Sequence, residues 1–284
     1  MMQHIGVITD STCDIPQEFI EQYGIKVVSH YILWGEREFI DRVTLQPVEF
    51  YQKLETESVK PTTSQATVQD FVKKYEEAIL EGAKHLIVLT VSSAMSGAYQ
   101  MALNAAKLVN IPVSVVDSKG PTMTLGWQVL ETVRKRSLGL DVKAILESVD
   151  TVRRKLVQIV GMESMEFLQH GGRIGDAAKW IGTKLQIKPV VSINHETGRV
   201  EPAGLARTHN GMVDLLYKKF LEGLRGEGSL HVAVLHGNAP AEAEKLAEKV
   251  QAELKPSEIM INITGPVLGI NTGPRALALC GYRE

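Results

Sequence analysis

Residues 86–104 read LIVLTVSSAMSGAYQMALN, and the fold is decided there. Leu86-Ile87-Val88-Leu89, followed by Thr90 and Val91, is a short apolar, β-rich run, the pattern of a buried strand. Ser92, Ser93, Ala94, Met95, Ser96 and Gly97 break it. Ala98, Met101, Ala102, Ala105 and Ala106 then fall at helical spacing. Strand, hydroxyl-rich turn and helix, in that order, put a ligand at the carboxyl end of a sheet strand. Backbone N–H groups at a helix start can hold an anion, and three serines add hydroxyl donors. A plain capping role for Ser93 or Ser96 stays open beside the binding role. The turn carries no Lys and no GK pair, so a nucleotide is not its obvious ligand.

Outward from that stretch, strands and helices alternate through the first half. Residues 5–8 form a strand opening into Thr9-Asp10-Ser11-Thr12. Pro16 starts a helix that Gly24 stops. A second strand covers 25–28, Gly35-Glu36 marks a turn, and 47–54 is helical. Pro61-Thr62-Thr63-Ser64-Gln65 is an extended polar link. A helix over 68–80 shows Phe71, Val72, Tyr75, Ala78 and Ile79 on one face. After the serine turn come a strand at 113–116, ending in Asp117-Ser118, and helices over 122–137 and 141–153. This alternation predicts a parallel α/β sheet in a domain spanning 1–153.

The second half has another rhythm. Strands are expected at 156–160, 187–193, 199–201, 230–235, 258–263 and 275–279, with helices over 208–224 and 240–254. LQHGGR at 168–173 reads as a turn. Hairpins mixed with helices predict an α+β domain with a mixed sheet over 154–284.

Composition excludes several classes. The chain has 284 residues, 44% hydrophobic and 23% charged, an ordinary globular balance. A formal net charge of -2 gives no attraction to nucleic acid or to an anionic membrane surface. Cys13 and Cys280 are too few for a disulfide framework and fit a reducing interior, so a cytoplasmic location is expected. The start, MMQHIGVITD, lacks a basic segment followed by an apolar core, so it is not a secretory signal. No apolar run is long enough to span a membrane.

Several residues invite chemistry. Asp10-Ser11-Thr12 follows a strand as in aspartyl phosphotransferases, but position 12 is Thr where those need a second Asp. An Asx-turn accounts for it better. Asp117-Ser118 repeats the pattern without an acidic partner for Mg²⁺. The histidines (His4, His30, His85, His170, His195, His209, His231 and His236) show no zincin spacing, so no metal is implied. There is no G-x-S-x-G elbow. His236-Gly237-Asn238 follows a strand and reads as structural. Arg173 is presented on a glycine turn, either to solvent or to a partner or phosphate.

Taken together, the motifs resemble the DegV family of fatty-acid-binding proteins. They are VITDST at 7–12, PTTSQ at 61–65, SSAMSGAYQ at 92–100, VVDS at 115–118, LQHGGRIGDA at 168–177, LQIKPVVSI at 185–193 and GPVLGINTGP at 265–274. The resemblance implies two domains with a lipid tunnel between them, holding a long-chain fatty acid such as palmitate, stearate or oleate, with no cofactor and no catalysis of its own. It also implies an ATP-dependent kinase subunit as a possible partner that phosphorylates the bound carboxyl group. Carried over by motif, Thr63 and Ser93 hold the carboxylate, with Asn271 where the family has His. Thr62, Ser64, Ser96 and Arg275 fall at the head group or tunnel mouth, Arg275 standing where the family has Gly. Arg173 and Arg207 become candidates for docking the kinase. An Arg275 that capped the carboxylate would favour a storage binder, and one pointing away would favour a kinase substrate carrier. The competing function is a small-molecule phosphotransferase or esterase using Asp10 or Ser93. In the binder, a tail of ~14 methylenes would supply roughly 11 kcal/mol gross on burial, less the cost of ordering.

Overall fold

The computed structural model describes residues 4–180 and 187–284. Leu185 and Gln186 of the LQIKPVVSI motif, and the first three residues of the start read for a signal, lie outside the described residues.

The first sheet is four-stranded and wholly parallel, in the order β2 (Lys26–Val28), β1 (Ile5–Asp10), β6 (His85–Thr90), β7 (Val113–Asp117). Strand alternation explains why the run at 86–89 is continuously apolar: both faces are covered. Leu86 and Val88 pack under α3 (Val68–Leu80) and α4 (Ala98–Ala106), with Phe71, Tyr75, Ala98 and Ala102. Ile87 and Leu89 face the other way, toward α5 (Met123–Ser137). Helix α3 opens on a capping box in which Thr67 and Asp70 bond each other's backbone N–H. The short α1 (Gln17–Tyr23) links β1 to β2.

The second sheet is six-stranded and mixed. Its order is β10 (Val200–Ala206), β9 (Lys188–Ile193), β8 (Val157–Gly161), β13 (Leu277–Arg283), β11 (Leu230–His236), β12 (Glu258–Ile263). Only β11 and β12 pair in parallel. Helices α8 (His209–Gly223) and α9 (Pro240–Leu254) cover its outer face through Met212, Leu216, Phe220, Leu246 and Val250. The inner face turns toward α5 and α6 (Val142–Lys155). The expected pair of sheets, one parallel and one mixed, is therefore what the chain builds.

Helix α5 is shared by both halves. Every residue from Met123 to Val133 is buried. Trp127 Nε1 donates to the Cys280 carbonyl at 3.2 Å, while Arg136 donates to the carbonyls of Ile5 and Tyr23 at 3.2 and 2.6 Å. The helix is sandwiched between the sheets, and its buried polar side chains are bonded there: Gln128 Nε2 donates to the carbonyls of Ser118 and Thr124 at 2.9 and 2.8 Å, and Thr132 Oγ1 to that of Gln128 at 2.8 Å.

Several elements differ from the sequence expectations. Residues around the Gly35-Glu36 turn form a hairpin, β3 (Tyr31–Trp34) and β4 (Arg37–Ile40), and the polar link becomes a third strand, β5 (Thr62–Ser64). This small antiparallel sheet packs with α2 (Pro47–Thr56) and α10 (Pro266–Thr272) through Ile32, Trp34, Phe50, Val267 and Ile270. The 266–272 stretch, left without an element in the sequence reading, is helical, with Pro at its start and Gly273 after its end. The LQHGGR turn is mostly the helix α7 (Glu166–Gly171), ended by Gly172 at φ +70°. Strand β13 also continues to Arg283 because β11 pairs with it to its end, Leu230 facing Arg283, while β8 pairs with it as far as Gly281. No helix among the described residues is long and apolar enough to cross a membrane.

Candidate functional site

A cavity of about 380 Å³ lies between the two sheets, within the size range of small-molecule sites. Its lining is segregated. Val160, Met162, Val191, Ile193, Leu235 and Ala278, from the strands of the mixed sheet, give an apolar wall. Thr63, Ser64 and Gln65 of β5 and its exit, Ser96 of the serine turn, and Asn271 and Thr272 of α10 give a hydroxyl- and amide-rich end. Among the described residues the charged or ionisable side chains on the wall are His30 and Arg173.

The two polar motifs meet for a steric reason. A Cβ on Gly97 would fall 2.2 Å from Gln65 Oε1, so glycine leaves room for the Gln65 amide against the serine turn. The three serines then separate. Ser92 is buried and its Oγ donates to the Gly198 carbonyl at 2.8 Å, tying the turn to the β9–β10 connection. Ser93 is exposed; its N–H donates to Asp117 Oδ1 at 3.1 Å and its hydroxyl to Asp117 Oδ2. Ser96 faces the cavity and accepts from the Ala98 N–H at 3.2 Å. The N-cap position of α4 itself is Gly97, with no side-chain cap.

Of the residues singled out by sequence, Thr63, Ser64, Ser96, Asn271 and Arg173 come together on the cavity wall. Ser93 and Thr62 are close in sequence but off the wall. Arg173 stands at the rim, its Nε donating to the Met95 carbonyl at 3.0 Å and Nη1 to that of Gly171 at 2.7 Å. Arg207 is exposed, directly after β10. Arg275 is also exposed and off the wall, its Nη2 on Glu242 Oε1 at 2.8 Å. Asn271 donates from Nδ2 to the Val267 carbonyl at 2.9 Å, one turn back, and lies against Gly171 of α7.

His30, Thr12, Thr122, Gln158 and Thr264 also line the cavity, and the sequence reading gave none of them a role there. For His30, Gln158 and Thr264 the signal was weak because their partners are distant in sequence. His30 Nε2 sits 3.5 Å from Asp10 Oδ1 in the interior. Asp10 is fully buried and accepts from Thr12 N–H at 3.0 Å, Thr12 Oγ1 at 2.6 Å and Val91 N–H at 2.7 Å. Burial alone would raise its pKa, but His30 and these donors hold the carboxyl below the usual range. Burial likewise opposes the charged form of His30, yet Asp10 prevails and raises its pKa. With its oxygens engaged, Asp10 is an anchor for the loop after β1. At Asp117, burial would raise the pKa, but Lys119 and Ser93 lower it. His236 accepts from the Ala239 N–H at 3.1 Å and closes a turn away from the wall. Among the described residues no group of three or more His, Cys, Asp or Glu side chains could hold a metal ion.

These features define an α/β protein of one parallel and one mixed sheet, with an internal cavity that has a mainly apolar wall and a hydroxyl- and amide-rich end. Residues 4–284 match the family described as "Uncharacterised protein, DegV family", and the chain belongs to that family. It is 33% identical to a DegV domain-containing protein of Clostridium acetobutylicum, with 100% of each chain covered. Among solved structures it is similar to a DegV family protein from Thermus thermophilus titled for its fatty-acid binding, at TM-score 0.90 and 32% identity, covering 99% of this chain and 100% of that one. It is also similar to DegV of Bacillus subtilis, titled a fatty acid binding protein, at TM-score 0.89 and 26% identity, covering 99% and 100%.

Proposed function

We propose that this protein binds a long-chain fatty acid in the cavity between its lobes, residues 1–153 and 154–284, and has no catalysis of its own. The observation that carries the reading is the lining: a hydroxyl- and amide-rich end beside a wall built mainly of apolar side chains from the mixed sheet. A fatty acid is the complementary molecule. Its tail supplies affinity at about 0.8 kcal/mol per buried methylene, and its one polar group fixes orientation. In this reading the carboxylate lies at Thr63, Ser96 and Asn271, with Ser64 and Arg173 at the rim. Ser93 acts at one remove, holding the turn through Asp117. The fatty-acid-binding titles of the Thermus and Bacillus structures support the same ligand class.

Neutral donors leave the carboxylate's electrons available, whereas a bidentate Arg would occupy both oxygens. Arg275 bonds Glu242 instead, which favours a carrier that presents its lipid for phosphorylation by a partner kinase, with Arg173 and Arg207 as the docking cations. The enzyme reading is weaker. Asp10 has no solvent exposure, and Ser93 has Asp117 rather than a histidine as its hydrogen-bond partner.

Mass spectrometry of the purified, denatured protein tests the ligand. A copurifying C16–C18 acid, or stoichiometric uptake of oleate after delipidation, is expected. A protein that takes up no fatty acid, or that turns over ester or phosphate substrates in a Ser93-dependent way, would replace this reading with the enzymatic one.

A further inference from the structure

The apolar wall contains one amide that the proposed ligand does not explain. Along β8 and one residue past its end, alternate side chains face the cavity: Gln158, Val160 and Met162. Ile159, between them, faces the outer helices. Met162 leads into α7, which carries Leu168 on the wall and Gly171 against Asn271 at the polar end. Gln158 is four residues back along the strand, so it lies roughly 13 Å from Met162 at about 3.3 Å per residue. It fronts the cavity on the wall along which a lipid tail would run.

Gln158 is only 1% exposed. Its Oε1 accepts the hydroxyl of Thr124 from α5. The amide nitrogen donates to no acceptor among the described residues and fronts the cavity. A buried amide with unused N–H groups in a hydrocarbon wall is unfavourable unless something accepts from it. The beginning of α5 adds to the same wall. Pro121 and Thr122 line the cavity, and Thr122 is an N-cap that makes no side-chain bond to the helix. Thr122 also holds φ +51°, a conformation rarely taken by a β-branched residue.

We propose that Gln158 and the start of α5 form an inner subsite for an oxygen carried on the lipid chain, a hydroxyl or keto group, so that the preferred ligand is an oxygenated long-chain acid. This rests on the fatty-acid reading above and adds to it the chemistry of the tail. The acceptor oxygen takes the Gln158 N–H; a plain alkyl chain leaves that donor unmatched.

The test is competition binding on the delipidated protein, using stearate and a series of hydroxystearates with the hydroxyl at successive carbons. One mid-chain or more distal isomer is expected to bind at least about tenfold more tightly than stearate. Gln158→Met, similar in volume, is expected to abolish that preference and to tighten stearate. Equal affinity for stearate and every isomer in the parent protein would overturn the subsite, as would a preference that survives in the Gln158→Met protein. The parent series decides the question even if the variant does not fold. Failure of stearate and all isomers to bind would instead overturn the fatty-acid reading itself.

Discussion

Arg275 Nη2 lies 2.8 Å from Glu242 Oε1. Glu242 also faces His209 Nε2 at 3.0 Å, and the other ring nitrogen of His209 faces Glu163 Oε1 at 2.5 Å. Lys188 completes a chain of five alternating basic and acidic side chains by pairing with Glu163. Arg275 holds φ +56°, a backbone conformation suited to glycine. Side chain and backbone therefore pull in opposite directions. Arg275→Gly removes an exposed ion pair, about 0–1 kcal/mol, and relieves about 1–2 kcal/mol of left-handed strain. Its stability is expected to match or slightly exceed that of the parent in urea titration. Arg275→Ala keeps the strain and loses the pair, so it should fall about 1 kcal/mol or more below the glycine variant. Lipid affinity should be unchanged in both; weakened binding would place Arg275 at the head group after all.

The serine turn makes a sharper prediction, because its hydroxyls have different surroundings. Thr63→Val and Ser96→Ala each remove a donor from the cavity wall and are expected to weaken fatty-acid binding by about 1–3 kcal/mol. Ser93→Ala removes a bond to Asp117 outside the wall. Its effect should be smaller and should appear as lowered stability of the turn rather than as lost affinity. Calorimetric titration of the three variants separates these outcomes. If Ser93→Ala alone weakens binding, the carboxylate is held on the other side of the turn.

The contrast between Ser93 and Ser96 also shows where sequence reading stops. Strand β6, its turn and α4 were legible because their apolar spacing is local and both faces of the strand are filled from within a short stretch. The same holds for α5 and α6. Which serine faces the cavity depends on Asp117, Gly198 and Gln65, none of them nearby in sequence. Residues 62–64 are too few to show a period, and they become a strand only because Tyr31, Ile32 and Leu33 pair with them. Helix α10 did carry a signal, Pro266 inside its start and Gly273 after its end, but seven residues interrupted by Gly269 hid the helical face. Gln158 was visible as a polar residue within an apolar run; that it faces a cavity rather than solvent follows only from α5 covering it.

Gly171 and Asn271 bring α7 and α10 together at the polar end of the cavity. A Cβ on Gly171 would stand 2.0 Å from Asn271 Oδ1 and 2.8 Å from its Cγ. The amide is tethered to the Val267 carbonyl and cannot swing away freely. Gly171→Ala is expected to cost about 1–3 kcal/mol of stability, the usual penalty of overpacking, and to weaken lipid binding as Asn271 is displaced. Adding Asn271→Ala should restore most of the stability but not the affinity, a non-additivity expected of residues in contact. Simple addition of the two losses in denaturant titration would show that the helices separate without a clash.

Asp41 gives a pH dependence of stability. It is wholly buried, and burial pushes its carboxyl up to about 6 against the pull of the neighbouring Arg42 guanidinium. Between the ordinary carboxylate value of 3.8 and about 6, the folded chain holds a proton that the unfolded chain has released. Stability therefore falls as pH rises through that window, by about 3 kcal/mol in all for a shift of roughly two units. Asp10 is lowered, so its contribution is lost only as pH falls below the ordinary range. His30 is raised, so its contribution is lost only above the ordinary histidine range. Asp14 is also raised by burial and acts in the same sense as Asp41, so the measurement has to compare variant with parent. The stability of Asp41→Asn relative to the parent is expected to grow by about 3 kcal/mol between pH 4 and pH 7. A difference that stays flat across that range in guanidinium titrations would mean that Asp41 titrates at its ordinary value inside the fold.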